Sequence, residues 1–172
     1  MMRHRSSIGA LASIVALLAC ATPRAGSEDS AAMRADTTTM VMLSRGACHG
    51  TCPVYAVRLA ANGHVRFVGA RFVRQVGVDT TRVPTAAVAA LRAAFADRKF
   101  PDVPPVIEYG ASACGPYVAD LPTVELTVRG ASGEHRVRFD QGCRNHPYML
   151  DTLANMVDSI SGSSRWTTVT RP

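Results

Sequence analysis

The residues with the clearest chemical pattern are five cysteines, Cys20, Cys48, Cys52, Cys114 and Cys143. Cys20 closes an uncharged apolar run that begins at Ile8, and the positive segment Arg3-His4-Arg5 precedes that run. The run is shorter than the roughly 20 apolar residues a membrane-spanning helix needs. Its end, Leu17-Leu18-Ala19-Cys20, has the form of a lipobox: Leu three places before the cut, small Ala just before it, Cys just after. The cysteine of a lipobox takes a diacylglyceryl group on sulfur and becomes the new N-terminus. An ordinary signal peptide followed by an incidental cysteine is the plainer alternative. The expectation is a signal peptide over residues 1–19, lipid attachment at Cys20 with palmitate-like chains, and export to the bacterial envelope. The anchor would hold the protein on the periplasmic or cell-surface side, with the membrane a partner through that lipid. Multiple acyl chains supply firm attachment, which a single chain does not.

The four remaining cysteines admit three chemistries. In an exported chain they pair as disulfides, and three connectivities are possible. Zinc would need all four thiolates on one ion, and zinc sites pair close cysteines twice over. Cys48 and Cys52 make one such pair, with His49 as a substitute ligand, but Cys114 and Cys143 are far apart. A redox dithiol is normally Cys-x-x-Cys at a helix N-terminus, which lowers the thiol pKa. Cys48 and Cys52 are spaced one residue wider, and Pro53-Val54-Tyr55 leads into a strand. Disulfide staples are therefore the leading expectation, with no metal and no cofactor. A thiol-redox or metal-dependent envelope enzyme using Cys48 and Cys52 is the alternative.

Other catalytic patterns are missing. There is no Gly-x-Ser-x-Gly elbow, phosphate-binding loop, dinucleotide fingerprint or His-Glu-x-x-His. His49, His64, His135 and His146 share no spacing and read as surface or packing residues. Glu108, Asp120, Glu125 and Asp140 are scattered over loops and strands, with Asp120 at a strand entry suited to capping a turn or pairing with arginine.

The elements that must position these residues follow from periodicity. Residues 20–39 form a polar tether after the lipid site. Met40–Ser44 is a short apolar strand. Val54–Ala60 and His64–Gly69 flank Asn62-Gly63, a strong hairpin signal. Tyr55, Val57 and Leu59 alternate on one face and Val65 and Phe67 match them. Phe72–Val78 is a candidate third strand. Pro84 opens a helix over about 84–97, with Val88, Leu91, Ala94 and Phe95 at helical spacing. Residues 99–121 read as a long ordered loop. Thr123–Arg129 and His135–Phe139 make a second hairpin. Pro147 opens a second helix, with Leu150, Leu153, Val157 and Ile160 as its stripe, and Gly162 ends it. From Ser163 to the end the chain reads as a loose tail, with Arg165–Thr170 a possible late strand. The expected fold is α+β, a two-layer sandwich over residues 40–162. An antiparallel sheet of hairpins carries two helices on one face.

These elements place the candidate sites. Cys114 and Cys143 flank two paired strands at the same end, and Cys48 and Cys52 share one tight loop, so the expected bridges are Cys48–Cys52 and Cys114–Cys143. Arg58, Arg66, Arg129, Arg136 and Arg138 fall on the sheet face opposite the apolar residues. Arginine forks grip carboxylates and phosphates. That face is a candidate anion-binding surface for a lipid headgroup, a wall polymer or an acidic envelope protein. A solvated face is the plainer reading.

The segment Arg45-Gly46-Ala47-Cys48-His49-Gly50-Thr51-Cys52-Pro53-Val54-Tyr55 resembles the opening signature of a bacterial lipoprotein family called domain of unknown function 6438. The Asn62-Gly63 hairpin, Gly69 to Val73, the Pro84 helix ending at Phe100, and Asp120-Leu121-Pro122-Thr123-Val124 are similar too. The resemblance spans about residues 40–160. It implies a lipoprotein or secreted protein, and brings no substrate, cofactor or catalytic residue.

Composition sets the remaining bounds. With 172 residues and 47% hydrophobic residues, the chain suits one globular domain. Aromatics are only 6%, so Val, Leu, Ala and Met must build the core. The 19 basic residues include one lysine, Lys99, against 13 acidic ones. The formal net charge is +6, and Arg3 and Arg5 leave with the signal. The weak remaining excess and the export signal argue against nucleic acid. The expected function is a non-enzymatic binding or accessory domain anchored at the envelope.

Overall fold

The computed structural model describes residues 40–168. The expected signal peptide, the lipid site Cys20, the tether and residues 169–172 lie outside the described residues. Seven strands form one sheet: β1 (Met40–Arg45), β2 (Val54–Ala60), β3 (His64–Arg71), β4 (Gly77–Arg82), β5 (Val106–Ile107), β6 (Thr123–Gly130) and β7 (Gly133–Asp140). Their spatial order is β4-β3-β2-β1-β6-β7-β5. Every pairing is antiparallel except the short β5–β7 pair. Helices α1 (Thr85–Asp97), α2 (Tyr148–Ser161) and α3 (Ser164–Thr167) complete the α+β sandwich. No helix among the described residues is long and apolar enough to cross a membrane.

Local chemistry explains the hairpins and helix limits. At the β2–β3 turn, Gly63 has φ +81, and a Cβ there would lie 2.2 Å from the Val83 carbonyl oxygen. Only glycine fits. Asn62 Oδ1 accepts the His64 backbone N–H at 3.0 Å and closes the turn. Pro84 and Pro147 each occupy the cap position, so the helices start at Thr85 and Tyr148, one residue later than the sequence reading places them. Gly162 ends α2 in a left-handed cap, its N–H donating to Asp158 and Ser159 carbonyls.

The core lies between the sheet and the helices. Val41 and Leu43 of β1, Val57 and Leu59 of β2, Val65 and Phe67 of β3, Val124 and Leu126 of β6, and Val137 and Phe139 of β7 are all buried. Val88, Leu91, Ala94 and Phe95 of α1 meet them, as do Leu150, Leu153, Ala154 and Val157 of α2. Helix α2 lies over β1, β2 and β6 and beside α1. Each fully buried side chain of this size stabilises by about 1.5–3 kcal/mol.

Three segments depart from the sequence reading. Strand β4, expected from Phe72, begins at Gly77. Phe72 takes φ +54, and the Arg74 and Gln75 N–H groups donate to the Trp166 carbonyl, which holds 72–76 in a turn instead of the ladder. The loop over 99–121 contains a 3-10 turn, Phe100–Asp102, and strand β5, anchored by the fully buried Phe100 and Ile107. The expected tail from Ser163, and the late strand from Arg165, are corrected most. Ser163–Thr168 packs as part of the domain, and Trp166 is only 4% exposed. Its ring stacks on Phe67 at 4.7 Å and its Nε1 donates to Asp79 Oδ2 at 2.7 Å. A lone aromatic in a polar segment has no periodicity to announce it, and its partners are about a hundred residues away.

Candidate anion-binding face

The sulfurs pair as Cys48–Cys52 and Cys114–Cys143. The second bridge is buried, with Cys114 at 1% and Cys143 at 0% exposure, and joins the 99–121 loop to the segment after β7. The first closes the loop between β1 and β2, and that loop is fastened to the segment before β6 by Gly46 N–H to Thr123 O and His49 N–H to Asp120 O. The four sulfurs do not converge. Cys52 leads through Pro53 into strand β2, not a helix, so no helix dipole acts on it. Among the described residues, no three His, Cys, Asp or Glu side chains are arranged to hold a metal ion.

The same loop positions a polar cluster that periodicity does not reveal. Arg45 and Tyr55 are register partners at the ends of β1 and β2. Arg45 reaches Asp158 of α2 through Nε at 2.9 Å and a terminal nitrogen at 2.7 Å. The Tyr55 hydroxyl donates to Asp158 Oδ1 at 2.6 Å, and the Ser163 hydroxyl donates to the same oxygen at 2.7 Å. Burial first, and the Asp158 carboxylate second, push the Tyr55 phenol well above its ordinary range, so it stays protonated and keeps donating. The Arg and Tyr that bound the cysteine signature thus tie the sheet to the end of α2. Every member of the cluster has a partner inside it, which makes it a structural clasp.

All five arginines singled out by alternation lie on the face away from the helices. The register sets Arg58 opposite Arg66, Arg129 opposite Glu134, Arg136 opposite Thr127 and Arg138 opposite Glu125. Their electrostatic surroundings differ. Arg129 bonds Glu134, Arg136 reaches Glu134 at 3.2 Å and Glu125 at 3.6 Å, and Arg138 pairs with Glu108. The Arg129 hydrogen bond holds the Glu134 carboxyl below its usual range. The β6–β7–β5 half of the face is therefore charge-compensated.

The other half is not. Arg58 and Arg66 face each other across β2 and β3, an arrangement that costs free energy when both are charged. Arg82 of β4 joins them. It is the partner of His64, and Thr80 is the partner of Arg66, so Arg82 and Arg66 share the face two positions apart. Among the described residues no carboxylate lies on this half: Asp79, the one acid of β4, is opposite Phe67 on the helix side. Among the described residues none of these three arginines has an ion pair or side-chain hydrogen bond. Thr80 and Met42 flank the pair along the same row. Arg82 was missed by sequence reasoning because placing the strand at 72–78 left it in a loop. With the strand at Gly77–Arg82, alternation alone assigns it.

The remaining candidates are dispersed. The His135 ring lies against the Val103 carbonyl, and His146 lies between the Cys143 carbonyl and Asp151. His49 is exposed on the disulfide loop and His64 is buried at the β3 start. Asp140 accepts from Tyr117 and from the Gly142 N–H. Asp120 takes φ +72 at the turn before β6. Apart from His49 and Asp120, whose backbones share a hydrogen bond, these acids and histidines sit apart. The model of one protein family, described as a domain of unknown function (DUF6438), matches residues 39–161. No curated protein matches the chain.

Proposed function

For a chain that belongs to the DUF6438 family, whose description names no activity, we propose a non-enzymatic binding module at the bacterial envelope that grips an anionic partner with the arginines on the sheet face away from the helices. A lipid on Cys20 would keep the domain at the membrane, because the lipobox ends a leader too short to span it. The observation that supports the reading is the division of charge: among the described residues Arg58, Arg66 and Arg82 share half a face with no carboxylate, while the other half is neutralised by Glu108, Glu125 and Glu134. Like charges placed opposite each other are a stability cost that an anion removes. Phosphate or carboxylate groups presented by an envelope surface fit this chemistry.

The test is retention of the full chain on phosphatidylglycerol vesicles against phosphatidylcholine vesicles. Lipid insertion is common to both, so the difference reports the face. The reading expects stronger retention on the anionic vesicles, weakening with salt. Equal retention on both at low salt would reject it.

A further inference from the structure

A second site lies away from the arginine face, where α1 meets the β6–β7 hairpin. A cleft of about 470 Å³ opens there, walled by Phe95, Phe100 and Val128 and bordered by Arg92, His135 and Gly130. Its volume falls in the range of small-molecule sites, roughly 300–1,000 Å³. Among the described residues Arg92 is its one unpaired charge. The other ionised border residue, Glu134, is held by Arg129 and Arg136.

Arg92 Nε is buried and, among the described residues, has no hydrogen-bond partner. A buried donor without an acceptor costs free energy, most of all on a charged group, so an acceptor that reaches it is strongly favoured. The guanidinium is brought to the hairpin by Gly130, where a Cβ would come within 3.3 Å of an Arg92 terminal nitrogen. Apolar walls beside one unsatisfied cation select a ligand with an apolar body and a single negative end.

We propose that this cleft binds a small amphiphilic carboxylate, with the carboxylate on Arg92 and the hydrocarbon or aryl body against Phe95, Phe100 and Val128. The proposal does not rest on that reading of the sheet face, since Arg58, Arg66 and Arg82 lie outside the cleft. A carboxylate satisfies the guanidinium by a charge-assisted bond that an uncharged group of the same shape cannot match.

Equilibrium dialysis of the full chain, with equal detergent on both sides, tests it with 4-phenylbutyrate and its uncharged analogue 4-phenylbutanol. The expected result is saturable one-to-one binding of the acid, about tenfold tighter than the alcohol. Arg92→Met should erase that preference. Ala96→Trp, which fills the cleft from an exposed helix position, should weaken both ligands while leaving the unfolding midpoint near that of the parent chain. Absence of saturable acid binding, a preference that survives Arg92→Met, or unchanged affinity in Ala96→Trp would each overturn the proposal.

Discussion

The clasp of Arg45, Tyr55, Asp158 and Ser163 works only while the Tyr55 phenol keeps its proton. Its pKa is pushed upward in the fold, so the sign of its contribution is fixed: stability is fully present below the unfolded phenol's pKa of about 10 and is lost as pH rises beyond it. Tyr55→Phe should therefore lower stability at neutral pH by about 1–2 kcal/mol. Above about pH 10 the variant's stability should fall less steeply than that of the parent chain. Denaturant melts across an alkaline pH series read both effects, and parallel slopes would show that the phenol carries no such role. The sequence points to Tyr55 as a strand residue on the apolar face, which is correct. Its partner is hidden because Asp158 lies on the second helix, beyond any local spacing, and only the register of β1 and β2 over that helix brings the three together.

At the scale of elements, hairpins and helices were legible because their signals are local. Asn62-Gly63, the alternation of Val57, Leu59, Val65 and Phe67, and the stripe of Val88, Leu91 and Phe95 each act within a few residues. Strand β4, strand β5 and α3 were not, because long-range contacts define them. The turn at 72–76 hangs on the Trp166 carbonyl, and β5 is two residues long beside β7. Removing the buried Trp166 as Trp166→Ala should cost about 3–5 kcal/mol, measured by thermal or denaturant unfolding. A loss under about 1 kcal/mol would mean that the C-terminal segment is dispensable. The disulfides make a second comparison. In the chain-entropy picture the bridge closing the longer loop, Cys114–Cys143, contributes about 3–4 kcal/mol and Cys48–Cys52 about 2. Ser substitution of the buried pair should therefore destabilise more than Ser substitution of the loop pair, and the reverse order would assign the cysteine loop a larger part in the fold.

For the molecule as a whole, the sheet is a plate with one side given to the core and the other divided by charge. Alternation in the sequence marks five arginines on that outer side. It cannot tell that three of them meet glutamates, because Arg138 finds Glu108 only through the return of the chain beside β7, and it omits Arg82. Acid should blur the division. Because Arg129 holds Glu134 below its usual range, binding to anionic vesicles should rise further only once the pH falls below the ordinary glutamate range, where protonating Glu134 frees Arg129 and Arg136. Retention that stays flat below that range would remove Glu134 as a control on the face.

The most direct measurement compares two triple variants on phosphatidylglycerol vesicles across a salt series. One replaces Arg58, Arg66 and Arg82 with Gln, the other Arg129, Arg136 and Arg138. Both remove three charges from the same face, so net charge and lipid insertion are matched. The account predicts that the first loses about 1 kcal/mol of partitioning per arginine and most of its salt dependence, while the second, which strands Glu108, Glu125 and Glu134 but keeps the three unpaired arginines, loses distinctly less. Equal losses in the two variants, or a larger loss in the second, would contradict it.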